Sequence, residues 1–166
     1  MFENFLNLVK NNNFEEIYLI GMFDEVDNEF VSSAKFIYFE FGSEFVELEA
    51  IEGYSKISIK IVDSIKPEIV SFDEIPCKSK IGNITFLDPL ATSNKIKKIS
   101  FYNLEKRENE VITDVLFIKL INDQEIFIDP RFFGFTIGGI EQKELWEGNL
   151  NYINWSIPKE SSVEFD

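Results

Sequence analysis

A chain of 166 residues with 45% hydrophobic residues and 18 phenylalanines is long and apolar enough to bury a core within one domain, residues 1–166. Its net charge of −14 opposes binding to nucleic-acid phosphates, because such binding depends on clustered Lys and Arg. The lack of histidine excludes Ser–His and Cys–His nucleophilic pairs and zinc sites that use imidazole. Because the chain itself is strongly acidic, the expected partner is a positively charged protein.

The predicted location is the cytoplasm. One cysteine, Cys77, leaves no internal disulfide and fits a reducing compartment. The first residues have Glu3 near their front and no basic stretch before an apolar run, so no signal peptide is predicted. No window approaches the roughly 20 apolar residues of a membrane span. We expect no membrane association, no cofactor and no metal.

The first elements are a short helix, a strand and an acidic turn. Apolar side chains at helical spacing predict an amphipathic helix over residues 2–10, which ends at three asparagines. Residues 15–23 predict a strand. The turn at 24–30 lacks the regular ligand spacing and the glycine of a calcium loop. Its carboxylates are expected to face solvent or a partner, and they are Asp24, Glu25, Asp27 and Glu29.

The next segment predicts three antiparallel strands with turns at Gly42–Ser43 and Gly53–Tyr54. Both turns assemble the same apolar face, although each is inferred independently. Since a slip of one residue would move every side chain to the opposite face, this agreement fixes the register. The register places Phe39 opposite Val46, Ile37 opposite Leu48, and Val46, Leu48 and Ala50 opposite Ile61, Ile59 and Ile57.

The opposite face of these strands, called here the mixed face, combines aromatic rings with carboxylates. Glu47 lies opposite Lys60, and an ion pair between them on a solvated face would contribute only about 0.2–1 kcal/mol. A solvated face has little use for three aromatic side chains, so we expect this face to be covered or to bind a partner. Its residues are Phe36, Tyr38, Glu40, Phe45, Glu47 and Glu49, followed by Lys56, Ser58 and Lys60.

The remaining chain predicts further short strands, at 66–72, 83–87 and 94–102. Residues 108–139 repeat the plan of the first hairpins around a turn at Asn122–Asp123, and internal duplication is a hypothesis. The tail is expected to hold a short helix, and residues 157–166 to form a frayed acidic end. The expected fold is a β-rich α+β domain, with mostly antiparallel strands in a sandwich or partly closed barrel and a short N-terminal helix.

An enzymatic alternative depends on Asp129, Glu141 and Lys143, which resemble the Asp…Glu-x-Lys pattern of metal-dependent nucleases. In that chemistry the carboxylates bind Mg²⁺ and the lysine helps to activate water. Such short matches are common by chance, and the acidic surface opposes a DNA substrate. We therefore predict that the chain is not an enzyme. A metal-dependent hydrolase is the alternative, and a structural or regulatory subunit of a larger assembly is a third.

The segment LFIKLINDQEIFIDPRFFGFTIGG, together with a composition rich in Ile, Lys, Asn and Phe, resembles small immunity proteins of bacterial polymorphic or contact-dependent toxin systems. The resemblance implies a protein that binds a cognate toxin domain and blocks its active site or substrate entry. An acidic surface would speed association with a basic toxin domain. In this hypothesis Glu40, Glu47, Glu49 and the 24–29 loop form an anionic rim, and Phe36, Tyr38 and Phe45 are anchors.

Overall fold

The computed structural model describes residues 1–66, 75–90, 94–131, 133–152, 156 and 158–165. In these residues the strands form two antiparallel sheets, accompanied by three helices. The helices are α1 (Phe2–Asn11), α2 (Gly82–Thr85) and α3 (Ile140–Tyr152).

The larger sheet contains the predicted hairpins. Its strands are β1 (Glu16–Asp24), β2 (Glu29–Phe41), β3 (Glu44–Ile51), β4 (Lys56–Val62) and β5 (Ile75–Lys80), with β7 (Glu105–Lys106) and β8 (Val111–Thr113). The smaller sheet contains β6 (Ile96–Tyr102), β9 (Leu116–Leu120), β10 (Glu125–Asp129), β11 (Thr136–Gly138) and β12 (Glu160–Glu164). The described strands are ordered β5-β1-β2-β3-β4-β8-β7 and β11-β10-β9-β6-β12, without closing into a barrel. The predicted β-rich α+β class is confirmed.

The predicted register of β2, β3 and β4 is confirmed at every pair. Ile37 faces Leu48 across the first hairpin, and Leu48 faces Ile59 across the second. These three side chains are at most 1% exposed. The second turn spans residues 52–55, around the predicted pair Gly53–Tyr54.

One apolar core is shared by both sheets and by α1. It joins Ile37 and Leu48 of the larger sheet to Ile99 and Ile118 of the smaller sheet. The helix α1 confirms the N-terminal prediction, and its buried residues are Phe2, Phe5, Leu8 and Val9. The rings of Phe2 and Phe5 stand edge-on to Phe101, with centroids 5.7 and 6.2 Å away. Because α1 packs into this core, it does not cover the mixed face.

The prediction of a strand over residues 83–87 is wrong, whereas the strand predicted over residues 94–102 is confirmed by β6. A strand would place Ile84 and Phe86 on one face. The chain instead forms the single turn α2, in which Phe86 N–H donates to the Gly82 carbonyl at 2.9 Å. Phe86 is thereby buried while Ile84 stays exposed. Residues 67–72 of the first predicted strand lie outside the described residues.

The prediction of a frayed end is wrong for residues 160–164, which form the strand β12 along β6. The helix predicted in the tail is confirmed by α3. Along β12, Ser161 and Val163 are half-buried and alternate with exposed residues. Val163 and Phe165 pack against the shared core. This period-two pattern explains why an acidic, serine-rich end forms a strand.

The β1–β2 hairpin changes register beside Gly21, where the two backbones approach closely. A Cβ atom on Gly21 would overlap the carbonyl oxygen of Val31 and lie 2.9 Å from the Cα of Ser32. Only glycine fits here without a backbone shift. Gly21 therefore fixes the path of the outer half of the hairpin.

We expect Gly21→Ala to lower the free energy of unfolding by about 1–3 kcal/mol, because the new methyl group would push the two strands apart. Urea denaturation followed by circular dichroism measures this change. Gly148→Ala is the matched control, since nothing lies within 4 Å of a Cβ at this position in α3. The control should raise stability by about 0.5–1 kcal/mol through helix propensity. Equal responses of the two variants would contradict the proposed close approach.

Candidate partner-binding surface

The mixed face is partly covered by its own chain. Tyr38 is only 1% exposed and forms a small apolar cluster with Tyr18 and Ile20. Ile65, beyond the end of β4, packs against this cluster. The predicted anchors Phe36 and Phe45 are half-buried beside it. The aromatic side chains of this face therefore build a small apolar cluster apart from the shared core.

Two of the predicted carboxylates accept hydrogen bonds from this cluster. The Tyr38 hydroxyl donates to Glu47 Oε2 at 2.7 Å, and the Tyr18 hydroxyl donates to Glu40 Oε2 at 2.9 Å. Burial, followed by the neighbouring Glu47 carboxylate, raises the pKa of Tyr38 above its ordinary value. Both hydroxyls thus remain protonated donors at neutral pH, and both carboxylates have a structural role.

The third carboxylate, Glu49, is held by two lysines. Its Oε1 lies 3.0 Å from Lys35 Nζ, and its Oε2 lies 3.1 Å from Lys60 Nζ. The predicted pair between Glu47 and Lys60 is correct in register but wrong as an ion pair. The buried Tyr38 hydroxyl binds Glu47, and the long Lys60 side chain reaches the diagonal neighbour Glu49 instead.

Further lysine–glutamate pairs lie on the side of the sheet beyond β4. Lys60 also approaches Glu110, whose Oε2 accepts a hydrogen bond from Ser58 Oγ. Lys56 contacts Glu105 at 2.7 Å. Because carboxylates and ammonium groups alternate across this face, much of its negative charge is compensated within the molecule.

The acidic loop at the end of the β1–β2 hairpin has a different character. Asp24 Oδ1 accepts hydrogen bonds from the N–H groups of Val26 and Asp27 at 2.8 and 3.2 Å, which shapes the turn. Asn28 takes the left-handed conformation with φ of 55° that closes it. Glu25, Asp27 and Glu29 are exposed. Residues 24–29 contain four acids and no Lys or Arg, so this end of the hairpin concentrates negative charge.

The structure does not bring this loop and the mixed-face carboxylates together. Glu29 begins β2, whereas Glu49 pairs with Phe36, seven residues further along the strand. That separation corresponds to roughly 20 Å. The predicted rim therefore consists of two separate groups of carboxylates, one held by tyrosine hydroxyls and lysines and one at the end of the hairpin.

Sequence reasoning missed the apolar part of this end of the sheet, which we call the arm: residues 21–32 with residues 75–76 of β5. Two transverse rows of apolar side chains follow from the strand pairing. Phe23 pairs with Phe30 and Ile75, and the adjacent Met22 pairs with Val31 and Pro76. Several of these side chains are exposed: Phe23 (36%), Val31 (39%), Ile75 (47%) and, in the loop, Val26 (91%).

A signal for the arm exists in the sequence. Met22–Phe23 and Phe30–Val31 place apolar residues at consecutive positions, which in strands means both faces. A hairpin end that is apolar on both faces and carries carboxylates in its loop is not explained by a core on one side. Such exposed apolar surface marks interaction sites more often than chance.

The residues of the enzymatic alternative do not converge. Asp129 lies at one end of β10, 8% exposed, and accepts the Arg131 N–H at 3.0 Å. Glu141 lies beside Gly139, near the Glu125 carbonyl at the other end of β10. Lys143 pairs with Glu147 at 2.9 Å. Four residues of strand, about 13 Å, separate the two ends, so these carboxylates do not share a ligand position.

Comparisons of the chain with protein-family models, with curated proteins and with solved structures found no match. None of the helices in the described ranges has the length and apolar character that crossing a bilayer requires. Among the described residues, no group of three or more His, Cys, Asp or Glu side chains is placed to hold a metal ion.

The ion pairs of Glu49 predict a pH-dependent contribution to stability. Burial opposes its ionisation, but hydrogen bonds from Lys35 and Lys60 outweigh burial and lower its pKa. The contribution should be complete above the unfolded carboxyl pKa of about 4.3 and be lost as pH falls through the lower folded pKa. Glu49→Gln should cost about 1 kcal/mol at pH 7, because its side chain is only 19% exposed. Urea denaturation from pH 2 to pH 7 measures the difference.

The control for this prediction is Glu25→Gln in the exposed acidic loop, which should leave the unfolding free energy at pH 7 unchanged. A stability difference between wild type and Glu49→Gln that persisted undiminished at pH 2 would contradict the assignment to ion pairing.

For Asp129 we predict a pH dependence of stability opposite to that of Glu49. Its burial raises its pKa, although the Arg131 N–H and charge oppose the shift. Ionisation therefore costs stability as pH rises from the unfolded pKa through the higher folded pKa. Asp129→Asn keeps the acceptor for Arg131 N–H and should raise the melting temperature at pH 7, with a smaller gain at pH 3.

Addition of Mn²⁺ should not raise the melting temperature of the wild-type protein. A Mn²⁺-dependent rise that disappears in Asp129→Asn would instead support the metal site.

Proposed function

We propose that the chain is an acidic, non-catalytic protein-binding module, and that it acts in the cytoplasm as an immunity protein that neutralises a basic bacterial toxin domain. One observation carries this proposal: the arm presents two rows of apolar side chains, of which Phe23, Val31 and Ile75 are exposed, next to a loop of carboxylates. The residues of the arm, 21–32 and 75–76, include no Lys or Arg.

The apolar rows supply the contact area that a stable complex needs. Interface cores combine aromatic and aliphatic side chains with a polar periphery. On the arm, Phe23 and Val31 belong to opposite rows, and the carboxylates of Glu25 and Asp27 lie beyond them in the loop. A partner that encloses the arm would bury both rows at once.

The carboxylates select the partner by charge. A negative potential of this kind attracts a basic surface and increases the association rate, most strongly at low salt. Toxin domains that attack nucleic acid have basic substrate clefts, in which the carboxylates of the arm would take the places of phosphates. Inhibition then consists of occupying the cleft and requires no chemistry from this chain.

The mixed face has a supporting role in this proposal. Phe36 and Phe45 are half-buried and are candidates for contacts at the border of the complex. Tyr38 is buried, so it acts by holding Glu47 and its strand in place. The arm, rather than the lysine-compensated Glu49, accounts for the attraction of a basic partner.

Charge reversal in the loop tests the proposal. We expect the double variant Glu25→Lys with Asp27→Lys to slow association with a basic partner by about tenfold or more at low salt, since it replaces attraction with repulsion. The partner is first recovered from the source organism by affinity capture at low and moderately high salt. Association and dissociation rates are then measured by biolayer interferometry across salt concentrations.

The matched control reverses two exposed carboxylates on α3, Glu141→Lys with Glu144→Lys, and changes the net charge equally. If both double variants slow association to the same extent, the arm has no special role and only the total charge matters. If neither variant changes the rates or their salt dependence, an electrostatic partner-binding function is refuted.

A further inference from the structure

The outer side of β2 in the arm is an open sheet edge. Residues 29–32 pair with β1 on one side, whereas β3 pairs only with residues 36–41. In the part of the chain that the structure describes, no strand pairs with the outer side of residues 29–32. We infer, on the basis of the proposed binding function, that the arm captures its partner by adding an extended segment of that partner as a strand along this edge.

The backbone supplies the affinity for such a strand. In an antiparallel ladder, alternate residues turn both backbone groups toward the same side. Two of the four residues 29–32 therefore direct an N–H and a C=O outward. Glu29, Val31 and Ser32 are exposed, so an incoming strand meets little obstruction from the rest of the chain. Strand addition of this type uses main-chain hydrogen bonds for affinity and side-chain pockets for specificity.

A groove lies at the root of the arm, where such a pocket is needed. It encloses about 240 Å³ and is lined by Gly21, Met22, residues 32–35 and Tyr54. This volume suits one or two apolar side chains of the added strand.

The aromatic residues beside the groove are held in an unusual conformation. The Tyr54 ring meets the 85% exposed Phe133 edge-on, with centroids 6.0 Å apart. Tyr54 and Phe133 have φ of 65° and 63°, which bulky side chains rarely adopt. Backbone strain of this kind persists where the surrounding structure enforces it and is concentrated at functional sites. The two rings extend the apolar surface beyond the groove.

The chemistry of the arm defines its occupant. An added strand places alternate side chains beside the row of Val31 and the row of Phe30. The carboxylates in the loop favour Lys or Arg between apolar positions. A second copy of this chain fits poorly, because its own arm would bring the four acids of residues 24–29 to the same edge. The occupant is thus a basic extended segment with alternating apolar residues.

A capped eight-residue peptide of alternating Lys and Val is the probe. A version N-methylated at every backbone amide keeps every side chain and charge but is unable to donate main-chain hydrogen bonds along either edge. Isothermal titration calorimetry with the full chain should show binding of the parent peptide and at least about tenfold weaker binding of the N-methylated peptide. Hydrogen exchange of the amides in residues 30–32 should slow when the parent peptide is bound.

A variant pair locates the site. Val31→Lys should weaken binding of the parent peptide by about tenfold, whereas the control Leu145→Lys, at an exposed position of α3, should have no effect. Equal binding of the parent and N-methylated peptides would overturn strand addition while leaving an acidic binding surface intact. Strand addition is also overturned if neither peptide binds and the captured partner leaves hydrogen exchange at residues 30–32 unchanged. Failure of the proposed function would be seen in a different experiment. In that case the association and dissociation rates with the captured partner would not change on charge reversal in the loop.

Discussion

The distribution of side chains between the two faces of the larger sheet depends on the burial of one apolar face along β2, β3 and β4. Ile37, Leu48 and Ile59 are opposed across these strands and almost fully buried. Because side chains alternate along a strand, this burial determines which residues must share the other face. Tyr38 and Glu47 are brought together there by the core behind them. The mixed face is thus a consequence of the register, and its hydrogen bonds stabilise an arrangement that the apolar residues have already imposed.

The net charge alone is a poor guide to where a protein attracts its partners. Glu49 belongs to the mixed face but lies between Lys35 and Lys60, so little of its charge acts at long range. Glu25 and Asp27 lie instead in the arm, whose residues include no Lys or Arg. Attraction at a distance depends on uncompensated charge, since the two charges of an ion pair have opposing fields. Salt screens the remaining field over a Debye length of about 10 Å. This contrast favours the arm as the electrostatically active part.

The sequence predicts the hairpins well because two turns and one alternation pattern agree on a single register. It fails where structure depends on distant partners. The turn α2 forms because Phe86 finds a place in a core built mainly from other elements, and β12 forms because β6 offers an edge for Val163 to pack beside. Neither the core around Phe86 nor the edge of β6 can be recognised from the sequence of the segment itself. The diagonal pair of Lys60 with Glu49 likewise depends on side-chain reach and on the burial of Tyr38. The arm depends on a register change at Gly21 that only the paired strands reveal.

Cys77 lies directly opposite Gly21 on β5, at the root of the arm, and is partly accessible. It is the only thiol in the 166 residues. A maleimide fluorophore or a nitroxide would therefore attach at a single position without any engineered substitution. Its signal would report on the environment at the base of the hairpin, where the strands change register. The chain thus contains a natural spectroscopic handle beside the surface that we assign to recognition.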